Sequence, residues 1–380
     1  MKIVHIAPNA PYSEGWGYHE NLLPKYHTIL GHEVSLIVSN YSMKEGKPAL
    51  VPCEDFMSAD GFKVYRRSVY HGKTLKTLSK MEVYDILTDI KPDFVFFHGL
   101  VSSSIFDVVK YKKKVNPKCV IVQDNHLDYY NAPVKRDIKS KVLRFLYRMM
   151  FALTRKYISK VYCVTPWRKQ YAEDYFKVPS NMTDILIMGA DDGKIDFANR
   201  ESIRKEIREK YGIKEEEFLI VSGGKIDKPK NIHLLVKAVN KCENVKLLVF
   251  GEVLEDIKEE FNNSLSDKIV YIGWIDGSKV YDYFFAGDLV IFPGTHSVLW
   301  EQACATKVPC VFKRWDGMDH VNNGGNSDFI GEVTVDALIE KIEELKFTPK
   351  YYKMKEIANS EKTDIYLYSN IAERSLECIG

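Results

Sequence analysis

Short runs of β-branched and aromatic residues alternate with longer segments of helical periodicity along the whole chain. The runs are almost continuously apolar, as in strands covered on both faces, and many end at Gly or Pro. This alternation predicts an α/β protein with parallel sheets, whose loops at the carboxyl edges bind ligands. The first half contains KIVHIAP at 2, EVSLIVS at 33, DFVFFHG at 93, CVIVQDN at 119, KVYCVTP at 160 and DILIMG at 184. The second half contains FLIVSGG at 218, VKLLVFG at 245, KIVYIG at 268, DLVIFPG at 288 and VPCVFK at 308.

A stretch without periodicity separates the two series of runs. The sequence MGADDGKIDFANRES, from residue 188, is rich in Gly and Asp and leads into the charged helical segment RKEIREK. We therefore place a hinge near residues 188–200 and expect domains over residues 1–190 and 191–365. Residues 366–380 have helical spacing, and the predicted helix is able to close either domain, including by crossing back to the first.

Composition and charge narrow the classes of function. A chain of 380 residues suits two α/β domains, and a net charge of +2, from 54 basic against 52 acidic residues, argues against a general nucleic-acid binder. The seven cysteines include no CxxC pair, so we expect them to be reduced. No stretch approaches the ~20 apolar residues of a membrane span, and no signal peptide is visible. We expect a cytoplasmic protein.

The strongest local motif is VSGGKIDKPKN at 221, in which a predicted strand is followed by two glycines, three lysines and a helical run. Glycines such as Gly224 let the backbone approach a ligand, and Lys225 and Lys230 near a helix start favour an anion. A diphosphate fits this chemistry. A solvated basic turn with no ligand is the alternative.

A second motif is FPGTHSVLWEQACATKVPCVFK at 292. Its strand ends at Pro293-Gly294, Ser297 is expected to cap a helix, and Glu301 falls about one turn inside that helix. A carboxylate there is able to accept two ribose hydroxyls while the amides of Thr295 to Leu299 face phosphate. A glutamate in a helix is usually solvated, but the small apolar residues after Glu301 indicate a buried helix.

Together the two motifs resemble those of the retaining glycosyltransferases of the GT-B fold, family four in the usual sequence classification. That family carries Gly-Arg-x-x-x-x-Lys-Gly and, later, Glu-Gly-Phe-Gly-x-x-x-x-Glu-Ala. Lys225 stands where the family has its arginine, Lys230 where it has its lysine, and Glu301 at its second glutamate. The spacing also agrees at VFGE and YIGW, so the resemblance covers most of residues 215–312.

The resemblance implies an α/β protein of the GT-B fold, in which two Rossmann-like domains have parallel sheets facing a central cleft. Residues 1–190 would bind the acceptor and residues 191–365 the nucleotide-sugar, most readily a UDP-sugar. The basic residues would bind the donor's pyrophosphate and Glu301 its ribose. The implied donor-binding residues are Gly15, Gly17, Gly224, Lys225, Lys230, Gly251, Gly273, Thr295, His296, Ser297, Val298, Leu299 and Glu301.

The sequence departs from the family pattern where the donor sugar is contacted. Pro293 stands in place of the first glutamate, and Thr295-His296-Ser297 replaces Gly-Phe-Gly. Which sugar is transferred therefore stays open, and His296 or Ser297 is a candidate for part of the missing role. A loop histidine without substrate contact is the alternative for His296.

The N-terminal half resembles the family's opening in PYSEGWGYHENLLPKYHTILGHEVSLIV. There Gly15, Gly17 and Tyr18 would lie where donor phosphate and acceptor meet. The family often has a cleft histidine after its fifth strand, and His126, in QDNH, matches it better than the histidine of FFHG. For each histidine taken alone, a structural hydrogen bond is the alternative.

The implied reaction is hexosyl transfer to a saccharide or lipid-linked acceptor in surface polysaccharide or glycoconjugate synthesis, with retention by front-face displacement. No protein nucleophile, cofactor or metal is expected, since Lys225, Lys230 and loop amides neutralise the leaving group. The catalytic candidates are His126, Lys225, Lys230 and Glu301. An inverting GT-B enzyme using His126 or Asp124 as base, an epimerase, and a degenerate nucleotide-sugar-binding subunit of a transferase complex stay open.

A basic segment runs from residue 135 to 160, KRDIKSKVLRFLYRMMFALTRKYISK. A basic amphipathic helix is able to lie on anionic lipid, which would place the protein peripherally at the inner face of the membrane. The alternative is a core helix with basic ends. Nucleic acid is not expected as a partner, because aromatic residues are not interleaved with the basic ones on an exposed face.

Overall fold

A computed structural model describes residues 1–44, 47–71, 79–132 and 137–379 of the chain. The chain forms two compact units, Met1–Ile187 with Ile371–Gly380, and Met188–Asn370. In the described ranges no helix is long and apolar enough to cross a membrane.

The N-terminal unit is built on an eight-stranded sheet in the order β12-β11-β10-β9-β1-β2-β6-β5. All neighbouring strands in it are parallel except β5 and β6. Two small antiparallel pairs, β3 with β4 and β7 with β8, lie outside it. The strands are β1 (Lys2–Ala7), β2 (Glu33–Ser39), β3 (Tyr41–Lys44), β4 (Lys47–Leu50), β5 (Asp55–Met57), β6 (Lys63–Arg67), β7 (Tyr70–His71), β8 (Ser79–Lys80), β9 (Phe94–Phe97), β10 (Val120–Asn125), β11 (Lys160–Cys163) and β12 (Thr183–Ile185). The helices are α1 (His19–Ile29), α2 (Tyr84–Ile90), α3 (Ile105–Lys114), α4 (Ile138–Thr154) and α5 (Pro166–Tyr171).

The C-terminal unit has a six-stranded, fully parallel sheet in the order β15-β14-β13-β16-β17-β18. Its strands are β13 (Phe218–Gly223), β14 (Val245–Phe250), β15 (Ile269–Tyr271), β16 (Leu289–Phe292), β17 (Cys310–Lys313) and β18 (Ser327–Ile330). Its helices are α6 (Arg200–Lys210), α7 (Ile232–Lys241), α8 (Lys258–Asn263), α9 (Val280–Ala286), α10 (Leu299–Ala305), α11 (Val335–Leu345) and α12 (Pro349–Ala358). The central strands are buried on both faces, which explains their unbroken apolar sequences.

Each of the eleven predicted runs contains or overlaps a strand, which confirms the prediction of an α/β protein with mainly parallel sheets. Three strands of the two large sheets, β5, β6 and β18, were not predicted. In β6 the burial alternates, and one of the two buried positions is Arg66 instead of an apolar residue, so the run has no continuous apolar signal.

The last helix, α13 (Tyr368–Ser375), leads the chain back into the N-terminal unit, to which residues 371–380 belong. Ile371 and Ala372 are fully buried there. The Arg374 guanidinium donates to the carbonyl oxygen of Ile185 at 3.2 Å, and its own carbonyl accepts from the Tyr162 hydroxyl. This segment therefore helps to build the N-terminal unit.

Each sheet has a point where the strand order reverses, between β1 and β9 in one and between β13 and β16 in the other. The connections leaving these neighbouring strands go to opposite sides of the sheet and leave a crevice at the carboxyl ends. The loops after β13 and β16 are the two motifs of the C-terminal half. This topology brings them together.

Candidate functional site

Lys230 joins the two motif loops of the C-terminal unit. Its ammonium group donates to the carbonyl oxygens of Thr295, at 2.6 Å, and His296, at 3.2 Å. The amide of Thr295 in turn donates to the carbonyl of Pro229. Lys230 is therefore partly a structural residue, which holds the loop leading to Glu301 and keeps one ammonium hydrogen for another acceptor.

Position 294 requires a glycine, because the two loops approach each other closely at this point. A Cβ atom at this position would lie 2.3 Å from the Cα of Lys230, so no larger residue fits without moving the backbone. A similar contact joins the predicted site glycines at the ends of β13 and β14. A Cβ on Gly251 would lie 1.8 Å from the carbonyl oxygen of Gly224, and the Gly251 amide donates to the carbonyl of Gly273.

The two predicted phosphate-binding lysines differ in environment. The Lys225 side chain is 60% exposed, and its ammonium lies 3.7 Å from the Asp227 carboxylate. Burial lowers the pKa of Lys230 to about 8, and the charge of Lys225 acts in the same direction, against the attraction of Asp227. Lys225 is thus a solvent-facing charge, whereas Lys230 is a partly desolvated one that a bound anion would stabilise.

Glu301 lies buried in the first turn of α10 and is held by two histidines. Its Oε1 accepts hydrogen bonds from Nε2 of His296 and Nε2 of His320, each at 2.8 Å. Its Oε2 is buried and has no hydrogen-bond partner in the described part of the chain. Burial alone would raise the pKa of Glu301, but the two imidazoles hold it well below its usual range. The residue is therefore an oriented carboxylate with one unused oxygen.

The loop before α10 differs in two details from the sequence-based expectation. Ser297 does not cap the helix, because the residue before Leu299 is Val298, whose backbone is already near the helical region, and the turn closes through the Ser297 carbonyl and the Trp300 amide. The Thr295 amide is not free, since Pro229 accepts from it. In the described ranges the amides of Ser297 and Val298 have no partner, so they remain able to bind an anion.

A surface groove of about 610 Å³ opens beside these glycines. Gly251, Tyr271 and Trp274 line it, with side chains from α8 and the preceding loop. The Tyr271 hydroxyl donates to the carbonyl of Gly251, which fixes one wall, and the Trp274 ring is 75% exposed. A planar group could stack on such a ring.

In the N-terminal unit a second polar cluster surrounds Asp124, at the end of β10. Oδ2 of Asp124 accepts from Nδ1 of His98 at 2.7 Å and from Nε2 of His126 at 3.1 Å, and Oδ1 accepts from the Gly99 amide at 2.7 Å. Burial would raise the pKa of Asp124, but the adjacent imidazoles hold it well below its usual range. Burial disfavours protonated His126, yet Asp124 outweighs this and raises the pKa of His126.

The loop that the sequence motif assigns to donor phosphate and acceptor precedes α1. Gly15 has a φ of +73°, which favours glycine, whereas Gly17 does not have a left-handed backbone. A Cβ on either glycine would meet nothing within 4 Å. Tyr18 is the residue before the helix and packs its exposed ring against Trp16. Of the two glycines, only Gly15 has a backbone conformation that favours glycine.

Among the described residues, three groups have the donor atoms and spacing to hold a metal ion: His19, Asp124 and His126; Glu20, His98 and His126; and His296, Glu301 and His320. In the groups of Asp124 and Glu301, one carboxylate oxygen already accepts hydrogen bonds from two imidazoles. These hydrogen bonds occupy one oxygen of each carboxylate, whereas Oε2 of Glu301 has no donor in the described part of the chain.

Several site residues were missed by the sequence analysis. His320, in the loop after β17, contacts Glu301 across 19 positions, and no motif links the two. His5 was not considered, and His98, the histidine of FFHG, was ranked below His126; both are buried beside Asp124. The available signal was a histidine inside or directly after an apolar strand, as in KIVHIAP and DFVFFHG, where a solvated side chain is not expected.

Residues 203–361 match the family model described as Glycosyl transferases group 1, and this segment lies wholly within the C-terminal unit. An uncharacterised glycosyltransferase of Methanocaldococcus jannaschii is 20% identical over 367 residues, covering 91% of this chain and 89% of that protein. The chain is a glycosyltransferase. The matched segment includes both lysines, the loop after β16 and the two histidines that hold Glu301.

Solved structures give the fold of the transferase. A glycosyltransferase from Rickettsia africae is similar with a TM-score of 0.68 at 16% identity, covering 100% of this chain and 97% of that chain. The Anabaena protein HepE, solved in complex with UDP, is similar with a TM-score of 0.67 at 14% identity, covering 99% of each chain. The transferase has the GT-B fold, as the sequence motifs predict.

Proposed function

We propose that the transferase moves a hexose from a nucleotide-sugar, most readily a UDP-sugar, to a saccharide or lipid-linked acceptor in surface polysaccharide or glycoconjugate synthesis. The observation that carries the proposal is the unused Oε2 of Glu301. A buried carboxylate oxygen without a donor is costly unless a ligand supplies one. Ribose hydroxyls are donors of the right kind, and a charge-assisted hydrogen bond would give the nucleotide a fixed position.

The surrounding groups suit a diphosphate next to that ribose. Lys225 supplies a solvent-facing positive charge, Lys230 keeps one ammonium hydrogen, and the amides of Ser297 and Val298 are available. Negative charge grows on the diphosphate as the glycosidic bond breaks, so these groups would act most strongly in the transition state. The groove beside Gly251 would take the base. The UDP bound to the similar Anabaena protein supports this choice of nucleotide.

A thermal-shift screen of UDP-, GDP- and ADP-sugars tests the donor. A ligand at ~100 times its dissociation constant should add about 2.7 kcal/mol to the free energy of unfolding. We expect the largest shift with a UDP-sugar. If no nucleotide-sugar raises the melting temperature at millimolar concentration, the proposed donor class is wrong.

We propose that the anomeric configuration is retained, with the leaving diphosphate helping to deprotonate the acceptor hydroxyl. Inversion is the second candidate, and the Asp124–His126 pair favours it, because an imidazole backed by a carboxylate is a suitable general base. The anomeric proton of the first product formed, followed by NMR, distinguishes the two. An α-linked product from an α-linked donor supports retention, and a β-linked product supports His126 as base.

Metal-independent transfer is also part of the proposal. Lysines and amides surround the proposed diphosphate position, so no divalent ion is needed to neutralise it. EDTA treatment followed by gel filtration should leave turnover nearly unchanged. Loss of most activity, with recovery on adding Mn²⁺ or Mg²⁺, would contradict metal-independent transfer.

The exposed apolar face of helix α4 favours contact with a membrane surface. One face packs on the core through residues such as Tyr147 and Phe151, while the opposite face is also apolar but exposed. Ile138 is 80% exposed, Phe145 61% and Leu153 60%. The remaining exposed apolar residues of this face, Val142 and Met149, continue the same stripe at helical spacing.

The charge of α4 points to anionic lipid as the partner of this stripe. Residues 138–154 contain four basic residues and no acidic one. An exposed apolar stripe flanked by basic residues is typical of helices that lie in the membrane interface. We propose that this face rests on the bilayer that carries a lipid-linked acceptor. Residues 135 and 136, the basic start of the predicted segment, lie outside the described residues.

Sedimentation with vesicles tests this contact. The protein should bind vesicles containing phosphatidylglycerol more strongly than phosphatidylcholine vesicles, and Phe145→Glu should abolish most of the binding. Met57→Glu is the matched control, because Met57 is 62% exposed but lies on β5. Equal loss in both variants, or no binding by the wild type, would contradict a specific role for α4.

A further inference from the structure

A chain of buried imidazoles runs from the C-terminal helix to the Asp124 cluster. Ser375 Oγ, on α13, lies 2.9 Å from Nε2 of His27, on α1. Nδ1 of His27 lies 2.9 Å from Nε2 of His5, on β1, and Nδ1 of His5 lies 3.2 Å from Nε2 of His98. Nδ1 of His98 then meets Oδ2 of Asp124 at 2.7 Å. All five side chains are buried.

The direction of these hydrogen bonds follows from Asp124. A neutral imidazole has one N–H donor and one acceptor nitrogen, and a carboxylate only accepts. His98 must therefore carry its hydrogen on Nδ1, which leaves its Nε2 to accept from Nδ1 of His5. The same reasoning places the hydrogen of His27 on Nδ1, so its Nε2 must accept from the Ser375 hydroxyl. That hydrogen then points to His27 and not to the carbonyl oxygen of Ala372, which lies 2.7 Å from Ser375 Oγ.

The surroundings keep the buried imidazoles of His5 and His27 neutral and the Asp124 carboxylate charged. Burial lowers the pKa of His5, and it lowers the pKa of His27 to about 3. Asp124, in contrast, is stabilised as an anion by the two imidazoles and the Gly99 amide. A carboxylate with three fixed donors has little freedom to rotate. His126 is bound to the same Oδ2 oxygen that His98 holds.

We propose that His98, His5 and His27 are positioning residues for His126, which they act on through Asp124. The one-directional chain fixes the carboxylate, and the carboxylate fixes His126 with its hydrogen on Nε2. Nδ1 of His126 is then the ring nitrogen left to accept from a sugar hydroxyl. This inference rests on the proposed function only for the identity of that hydroxyl.

Replacing Asp124 with Asn gives a sharp test, because the Gly99 amide decides how the new side chain is oriented. Gly99 needs an acceptor at the Oδ1 position, so the amide nitrogen of the asparagine should face Nδ1 of His98. His98 would then have to carry its hydrogen on Nε2. Because each imidazole donates to the next, the hydrogens of His5 and His27 would also move from Nδ1 to Nε2. The reversed chain also has an end, because Nε2 of His27 lies 3.2 Å from the carbonyl oxygen of Ala372.

Long-range ¹H–¹⁵N spectra of the full-length protein, labelled at histidine, report which ring nitrogen carries the hydrogen. We expect His5, His27 and His98 to have it on Nδ1 in the wild type and on Nε2 in Asp124→Asn. His233, a buried histidine of the C-terminal unit, is the internal control and should not change. The proposal would be overturned by mixed tautomers of these three histidines in the wild type. It would also be overturned if only His98 changes its tautomer in Asp124→Asn.

A second measurement separates positioning from simple packing. His98→Phe removes the donor to Asp124, which leaves the carboxylate a stronger acceptor and should raise the pKa of His126. His98→Asn restores an N–H near the Nδ1 position and should return that pKa towards the wild-type value. The other groups facing His126 are unchanged in both variants; they are His19 and Glu20 on α1 and Arg168 on α5.

The pKa of His126 is read from the same spectra without donor or acceptor, so the result does not depend on turnover. If both variants lose stability but leave the pKa of His126 unchanged, the buried imidazoles have only a structural role and the proposal is wrong. Failure of the proposed transferase reaction would appear separately, as absence of product with a His126 pKa that still responds to His98.

Discussion

The ammonium nitrogen of Lys230 lies 2.6 Å from the carbonyl oxygen of Thr295. This hydrogen bond ties the loop after β13 to the loop after β16, and through it to the helix that carries Glu301. The neighbouring Lys225 makes no comparable link and is mostly exposed. The two lysines of the phosphate motif should therefore respond differently to substitution.

Lys225→Ala should reduce kcat/KM roughly 30-fold, which corresponds to a loss of about 2 kcal/mol of transition-state stabilisation, because an exposed charge near the leaving group is lost. The melting temperature should stay unchanged. Lys225→Arg should be tolerated better, since a guanidinium also binds phosphate. Lys228→Ala is the control, because Lys228 is exposed on the same loop but has no counterpart in the family motif. If Lys228→Ala costs as much, the assignment of Lys225 is wrong.

Lys230 should make nucleotide binding depend on pH. Its pKa is about 8 in the free protein, so its charge is present below pH 8 and is lost as the pH rises further. The affinity for a nucleoside diphosphate should therefore fall between pH 7 and pH 9 in calorimetric titrations. Lys230→Arg keeps its charge throughout and should show a flatter profile. Parallel profiles in the two proteins would exclude Lys230 as the titrating group.

Glu301→Gln should weaken nucleotide binding more than folding. The glutamine oxygen can still accept from His296 and His320, but an amide nitrogen then replaces the unused Oε2 and no longer accepts from ribose. Affinity should fall about tenfold to a hundredfold, or about 1.5–3 kcal/mol. Glu343→Gln, on the surface helix α11, is the control. Unchanged affinity with a large drop in melting temperature would show that Glu301 is purely structural.

The buried histidines should make the protein sensitive to acid. Burial lowers the pKa of His27 to about 3 from 6.5, so between these values the unfolded chain binds a proton that the folded chain excludes. The stability is therefore fully present above pH 6.5 and is lost as the pH falls, by about 1.4 kcal/mol per unit.

Urea unfolding at pH 7 and pH 5 measures this effect. The loss of stability should be about 2 kcal/mol smaller in His27→Gln than in the wild type. His71→Gln replaces an exposed histidine and should behave like the wild type. An identical loss in all three proteins would show that His27 does not stay neutral in the folded state.

The sequence predicts the central strands because burial on both faces requires unbroken apolar runs such as that of β13. It does not predict β6, where the two buried positions are Val64 and the charged Arg66. The approach of Lys230 to the loop of Glu301 could be expected from the family motif, but not the two carbonyls that the lysine holds. His320 and the chain from His27 to Asp124 depend on how distant segments meet, which no local pattern records.

A crystal structure with UDP would test the central claim most directly. The account predicts the diphosphate between Lys225, the free hydrogen of Lys230 and the amides of Ser297 and Val298, with a ribose hydroxyl within about 3 Å of Glu301 Oε2. Glu301 should keep its contacts with His296 and His320. UDP bound elsewhere on the chain, or a ribose that leaves Oε2 without a donor, would contradict the proposed donor site.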